Sequence, residues 1–289
     1  NIWLQPQPAP PNGFAGGAAP GENAIDTKSG GTRPRATLEI RDTMAWGFRN
    51  GLISNMAAFN LKENVAVVAD RVTVYDSEIA FRLRGPTGGA NGGALVTVMN
   101  ALVHDTTTAF RYESDPSVNV WNSTVGLNVT RSFQAASSGS SGIDVKNVAI
   151  VGAKPAVAAD PSNLSVTANA FVNAAAGNYM LAPGSPAIDA GMILPAVTND
   201  RAGTQRPQGL GYDVGAYEAV PAQAVTDDIV VWASKASAVS GLWRIVDDGT
   251  YDVAKRAAGW LCAVACADGG FGLRARRWWA GRQRGKRGA

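Results

Sequence analysis

The sequence predicts an all-β solenoid, a coil of short parallel strands stacked turn upon turn, and three observations predict it. The first is a five-residue pattern that recurs at steps of 28, 28 and 29 residues, over Ala24–Lys28, Leu52–Met56, Ala80–Arg84 and Ala109–Glu113. A fixed period of this length marks a stacked repeat rather than a packed globule. The second is a parallel series: Leu38–Asp42, Ala66–Asp70, Val96–Asn100, Val118–Asn122 and Ile143–Asn147. In each, two apolar residues stand two apart and an Asp or Asn follows two positions later, the signature of a strand running into a turn. The third is that no segment carries a 3.6-residue apolar stripe, while 33 Gly and 15 Pro leave little room for long helices.

In chain order, residues 1–21 read as an irregular N-terminal remnant, rich in Pro and Gly from Pro6 to Gly21. We expect earlier turns of the coil to precede it in a longer chain. Residues 22–152 hold the stacked turns. Strands send alternate side chains to opposite faces, so Ile25, Ile53, Phe81 and Phe110 are expected inside and Asp26, Ser54, Arg82 and Arg111 outside. Asp42, Asp70, Asn100, Asn122 and Asn147 are expected to form one column at the turns, with side chains bonded between layers. A third run, Val72–Val74, Leu102–Val103 and Val148–Ile150, completes the turn. Residues 88–93 and 137–142 are loops, where solenoids accept insertions. A β-sandwich would also give many short strands, but it does not require one residue type at one place in every repeat.

This pattern resembles the right-handed parallel β-helix of pectate-lyase-like proteins, and right-handed crossovers are the default between parallel strands. Residues 153–219 lose the period. They contain Ser185-Pro186-Ala187-Ile188-Asp189-Ala190-Gly191, then Asp200-Arg201-Ala202-Gly203-Thr204-Gln205-Arg206-Pro207, then Asp213-Val214-Gly215-Ala216-Tyr217-Glu218. The block resembles the C-terminal closing segment of secreted bacterial β-helix proteins of the choice-of-anchor Q kind. Together the two resemblances span residues 22–218. They imply a right-handed parallel β-helix closed by an irregular C-terminal cap, on a secreted or cell-surface bacterial protein. They imply little about activity, because this closing segment recurs on proteins of many functions. A coil must cover its open strand edges and its exposed core. Asp189, Asp200, Arg206, Asp213 and Glu218 are therefore expected to knit a cap, and a carboxylate cluster for metal or catalysis is the alternative.

Beyond the cap, residues 220–258 read as a truncated β-sandwich-like appendage, with strands at Asp228–Ser234 and Gly241–Asp248. Residues 259–289 change composition abruptly. The formal net charge of the chain is +3, yet Arg274, Arg276, Arg277, Arg282, Arg284, Lys286 and Arg287 against Asp268 give this tail +6, so residues 1–258 carry −3. Arginines among aromatics suit a nucleic-acid-binding tail. The Arg, Gly, Ala and Trp composition equally matches a GC-rich gene read in the wrong frame, the reading taken here, with no nucleic-acid partner and no stable structure. Both cysteines, Cys262 and Cys266, lie in the tail, so the body has neither a disulfide framework nor a thiolate metal site.

The outward column carries the candidate chemistry. Neighbouring rungs of a parallel sheet lie about 4.8 Å apart, so Arg82 and Arg111 would stack as like charges. Glu113, Glu78 and Asp26 could neutralise them locally, the guanidinium planes could stay solvated, or an anionic chain could lie along the column. In the last case successive arginines would hold successive carboxylates or sulfates by paired bonds. The substrate-binding candidates are Asp26, Lys28, Arg82, Arg84, Arg111 and Glu113, and the partner is an acidic polysaccharide. The fold resemblance adds β-elimination: lyases of this architecture remove the proton α to a uronate carboxylate with a Lys or Arg base, often with calcium nearby. Lys28, Arg82 and Arg111 are the candidate base and neutralisers, and Asp26 a candidate calcium ligand, although calcium needs several oxygens. A glycoside hydrolase is the other enzymatic reading, and a non-catalytic cell-surface or adhesive solenoid is the reading from another class. His104, the one histidine, sits beside Asp105 and reads as a turn residue or, alternatively, as half of a general-base pair. No run approaches the roughly 18 apolar residues of a membrane span. No Ser-His-Asp signature, phosphate loop or dinucleotide fingerprint is present. The protein is expected to act as a monomer.

Overall fold

The computed structural model describes residues 1–4, 23–28, 33–51, 54–86, 92–136 and 142–221. Contacts divide the chain after residue 221, and the unit Asn1–Pro221 is the one described below. The appendage and basic tail expected after Pro221 lie outside the described residues.

The unit is a right-handed parallel β-helix. Strands β1 (Ile2–Trp3) and β2 (Ile25–Asp26) belong to its first rungs. Ile2–Trp3 already pairs in parallel with Ala45–Trp46, so the N-terminal segment expected to be irregular opens with a strand of the coil. Full turns follow: β3 (Ala36–Arg41), β4 (Met44–Trp46) and β5 (Ala57–Leu61), then β6 (Val65–Asp70), β7 (Thr73–Tyr75) and β8 (Ser77–Arg84). The next are β9 (Leu95–Met99), β10 (Leu102–Val103) and β11 (Thr106–Glu113), then β12 (Ser117–Trp121), β13 (Thr124–Val125) and β14 (Arg131–Ala135). The coil ends with β15 (Ile143–Lys146), β16 (Ala149–Val151) and β17 (Leu164–Val166), and an antiparallel pair follows, β18 (Phe171–Asn173) and β19 (Asn178–Leu181). Sheet I is β3-β6-β9-β12-β15, sheet II is β1-β4-β7-β10-β13-β16-β17 and sheet III is β2-β5-β8-β11-β14. Among the described residues the helical segments are 3₁₀ turns of three residues, Ala156–Ala158, Ala168–Ala170 and Ala174–Ala176. No helix there is long and apolar enough to cross a membrane.

The core is built from columns. In sheet III, Phe59, Phe81, Phe110 and Phe133 are paired residue for residue, and their rings stack with centroids 5.2, 5.2 and 5.0 Å apart. Each such contact contributes about 0.5–1.5 kcal/mol beyond simple burial. Val67, Val96 and Val118 from sheet I and Val74, Val103, Val125 and Ile150 from sheet II fill the remaining space and are essentially inaccessible.

One residue in a left-handed conformation closes the corner between sheets I and II on each turn: Asp42, Arg71, Asn100, Asn122 and Asn147, with φ of 49, 56, 53, 41 and 54°. Asx residues tolerate this region because their short polar side chains bond local backbone. The expected column therefore holds with one correction. Arg41 pairs with Asp70 and Asp70 with Met99, which puts Asp70 on the last strand position and Arg71 at the corner. The physical reason is the core: Val67 and Ala69 are 3 % and 0 % exposed, so they, rather than Ala66 and Val68, are the inward pair. The ladder of bonds persists. Arg71 donates to Asp42 through Nε (2.6 Å) and Nη2 (2.8 Å), Asn100 Nδ2 to Asp70 Oδ1 (2.9 Å) and Asn147 Nδ2 to Asn122 Oδ1 (3.3 Å).

A second correction concerns sheet III. Ile25 pairs with Phe59 and Asp26 with Asn60, so Ser54 and Met56 are not members of the outward column, which runs Asp26, Asn60, Arg82, Arg111, Gln134. Loops of unequal length space these rungs, and a constant step selects the wrong segment.

The closing block does two jobs. Residues 152–163 cover the end of the coil: Ala158 is fully buried in the main core with Val157 packed against it, and Asn163 gives Nδ2 to the Val145 carbonyl (2.8 Å) and takes the Val148 N–H (2.9 Å). Residues 168–219 instead run back along the outer side of sheet II. Leu102 and Ala149 form a second core there with Phe171, Tyr179, Ala187 and Val214. Asn122 Nδ2 donates to the Asp213 carbonyl (3.1 Å), Asn147 exchanges bonds with the Met192 backbone (2.7 and 2.9 Å), and Arg201 reaches Thr73 and the Asn100 carbonyl. The expected knitting is present: Arg206 and Glu218, both with wholly inaccessible side chains, pair at 2.6 Å. Asp200 accepts the N–H groups of Ala202, Thr204 and Glu218, and Asp213 those of Asp189 and Ala219. Burial pushes the Glu218 and Asp213 carboxyls up.

Phe81→Ala should remove one of the two inner plates of the aromatic stack and cost about 3–5 kcal/mol, read as a lowered urea midpoint with unchanged slope. A second expectation concerns pH. Bonds from Lys146 and Ser162 hold the Asp160 carboxyl far below its ordinary value. A depressed folded pKa contributes stability that is present above the unfolded value, about 3.9, and is lost as pH falls below it. Lys146→Ala should therefore flatten the decline in melting temperature between pH 4 and pH 2; an unaltered curve would show that this pair does not couple to folding.

Candidate functional site

The outer face of sheet III gathers most of the candidate residues. Ala58, Ala80 and Ala109 have no exposure and belong to the main core. Beside this alanine column stand Asn60, Arg82 and Arg111, and beyond it Arg84 pairs in register with Glu113. Arg82 and Arg111 are directly paired, as expected. Their repulsion is met mainly by Glu113, whose Oε1 takes the Arg82 Nε–H at 2.7 Å and lies 3.1 Å from Arg84 Nε. Arg111 donates through Nη1 to Asn55 Oδ1 (2.6 Å). The segment before β5 is thereby held over β11, and the Met56 N–H donates to Glu78 Oε2 (3.2 Å).

Asp26 and Lys28 stand apart from this group. The Asn60 rung lies between Asp26 and Arg82, a separation of about 10 Å at two rung spacings. Asp26 is 3.1 Å from Lys62 and 3.4 Å from Lys28, and accepts from Asn60 Nδ2 (3.2 Å). That set does not fit calcium, which takes six to eight oxygens, because two ammonium groups already neutralise the one carboxylate. Among the described residues no group of three or more His, Cys, Asp or Glu could hold a metal ion.

Asn60 and Lys62 are functional-face residues that the constant-step alignment misses. The signal is in the sequence: Ala58-Phe59-Asn60-Leu61-Lys62 has the form of Ala80-Phe81-Arg82-Leu83-Arg84. The face carries Lys28, Lys62, Arg82, Arg84 and Arg111 against Asp26, Glu78 and Glu113, an excess of positive charge. It also holds three of the five buried side-chain polar atoms that lack a hydrogen-bond partner among the described residues: Asn60 Oδ1, Arg84 Nε and Arg111 Nε. Such atoms are rare in folded proteins, and a water, ion or ligand usually accounts for them.

His104 belongs to a different feature. Its ring lies between Tyr75 and Tyr179, both at 5.4 Å, in a stack that continues through Trp46 to Trp3. Its Nδ1 is 2.6 Å from Asp105 Oδ2, and Asn128 Nδ2 donates to Asp105 Oδ1 (2.6 Å). Burial opposes ionisation of Asp105, but the bonds from Asn128 and His104 prevail and hold its carboxyl below the ordinary value. The pair thus anchors the corner between sheets II and III, in keeping with the turn reading.

No family model matches the chain, and neither a curated protein nor a solved structure does.

Glu113→Gln keeps the shape and removes the charge that Arg82 and Arg84 share. It should lower stability by about 1–2 kcal/mol, measured by denaturant unfolding at low salt, with a smaller loss at high salt where the arginines are screened.

Proposed function

We propose that the chain is part of a secreted or cell-surface bacterial β-helix protein of the pectate-lyase-like kind, closed by a choice-of-anchor Q type segment, that binds an acidic polysaccharide as a monomer. The bound strand lies along the outer face of sheet III. The observation that carries this reading is the coincidence, on one face, of excess cations at rung spacing with the unpartnered atoms Asn60 Oδ1 and Arg111 Nε. A carboxylate or sulfate set over Arg82, Arg84 and Arg111 would accept that N–H group, and a sugar hydroxyl would donate to Asn60. Charge-assisted bonds of this type are the strong ones.

Binding without cleavage is the form the geometry favours. In β-elimination the base and the group that neutralises the carboxylate meet on one sugar residue. Lys28 is 71 % exposed beside Asp26 and two rungs from Arg82, and an arginine does not give up its proton readily. A lyase reading uses Arg82 and Arg111 as base and neutraliser on adjacent rungs, and a product assay separates the two.

Arg82→Ala and Arg111→Ala should each weaken binding of polygalacturonate, alginate or a sulfated glycan by about 1–3 kcal/mol, with affinity falling as salt rises. Calorimetric titration checks this. Unchanged binding together with a sharply lowered melting temperature would make the column an internal ladder and place no glycan there. Absorbance of unsaturated uronate on incubation with the same polymers would convert the binder into a lyase.

A further inference from the structure

We propose a second binding site, for an uncharged polyhydroxylated polymer such as a neutral polysaccharide strand, on the outer face of sheet I. A trough of about 540 Å³ runs across β3, β6, β9 and β12 there. Two outward columns line it, Thr37-Ala66-Leu95-Ser117 and Glu39-Val68-Thr97-Asn119, each in strict residue-for-residue register. Val67 and Val96 also reach the trough although they are 3 % and 2 % exposed. Main chain therefore forms its floor, where the outward residues Ala66 and Val68 are too small to cover it. The next outward column, outside the lining, contains larger side chains, Arg41, Met99, Trp121 and Lys146.

The chemistry of the lining selects the occupant. Glu39 is the one charged residue of the lining and its carboxylate is paired with Arg41 at 3.0 Å, so no cation of the lining itself answers a polyanion such as nucleic acid or an acidic glycan. β6, β9 and β12 are already paired on both sides, so an added peptide strand cannot pair with them. The polar groups are hydroxyls and an amide. Asn119 Nδ2 donates to Thr97 Oγ1 at 3.2 Å, which leaves the Asn119 carbonyl oxygen and the Thr97 hydroxyl proton for a ligand. Exposed Leu95, at 43 %, and Val68 offer apolar contact to the C–H faces of sugar rings. Polar groups stand on three of the four rungs, and Thr97 and Asn119 follow one another at the rung spacing of about 4.8 Å. The site is separate from the cationic face of sheet III and does not depend on its reading.

The test is affinity electrophoresis of the whole chain through gels holding hydroxyethylcellulose, xylan or galactomannan. At least one polymer should retard it. Val68→Trp, which fills the trough, should abolish the retardation. Asn119→Ala, which removes one half-buried amide and leaves the strand intact, should raise the dissociation constant about tenfold. Arg82→Ala should change nothing. The proposal is overturned if none of the three polymers retards the protein, if Asn119→Ala migrates as the unaltered protein does, or if Arg82→Ala loses retardation to the same extent. Circular dichroism confirms that each variant folds, and if Val68→Trp does not, Asn119→Ala decides.

Discussion

The corner between sheets I and II is closed on every turn by one residue with positive φ, and the register of the coil hangs on that constraint. A strand alternates faces residue by residue, so an error of one at the corner would turn the core outward. The corner residues Asp42, Arg71, Asn100, Asn122 and Asn147 hold the phase. Val67, Val96 and Val118 therefore stay inside sheet I, Val74, Val103 and Val125 inside sheet II, and the phenylalanines inside sheet III. Side-chain bonds between layers then reinforce what the backbone has set. Arg71 illustrates the order of importance: a residue ill suited to the left-handed region is accepted there because the inward positions of Val67 and Ala69 demand it, and Asp42 holds its guanidinium.

The same column serves the closing segment. Asn122 and Asn147 lie wholly inside the protein and bond to Asp213 and Met192 of the returning chain, so their amides are shared between the rung ladder and the flank. The flank contributes its own apolar contacts through Leu102, Tyr179 and Val214. Its polar interior is organised by Arg206, which reaches Glu218 and the carbonyls of Asp213 and Gly215. A buried pair of this kind adds little net stability over an apolar replacement, yet removing one partner leaves an uncompensated charge. Its structural effect is specificity: the four groups fix the path of the chain from Asn199 to Ala219 against one side of the coil.

The fold was legible because its evidence is periodic. Valines two apart followed by Asn give strand, face and turn together, and four of the five sheet I segments align residue for residue with the structure. The fifth, Ala66–Asp70, fails because Val65-Ala66-Val67-Val68-Ala69 is apolar throughout and either alternate set could face inward. The Leu52–Met56 assignment fails for a different reason: rungs share geometry and loops do not share length, so Phe59 is the residue that stacks on Phe81, while Ile53, expected inside, lies outside the described residues. The candidate site was legible only in part. Arg82, Arg111 and Glu113 could be placed by register alone. The reach of Asn55 across to Arg111 depends on a loop path, and the flank position of residues 168–219 depends on the outer side of sheet II being apolar at Leu102 and Ala149. Neither leaves a short-range signal.

A parallel coil makes every outward column a row of near neighbours, and the residue type decides whether that is favourable. Phenylalanine gains by stacking, and an Asn or Thr finds a partner on the next rung, as Asn119 does on Thr97. Arginine gains nothing from another arginine at rung spacing, so each one in a column requires an acceptor. On sheet III one carboxylate, Glu113, answers two guanidinium groups and an amide oxygen answers a third. The residual positive charge and the unpartnered Arg111 Nε follow from that shortage of acceptors. Sheet I, built on the same strands' turn, has neither the excess charge nor the shortage. The two faces of one coil thus differ in kind: the first carries excess positive charge, while the lining of the second is largely neutral, with hydroxyls and an amide as its hydrogen-bonding groups.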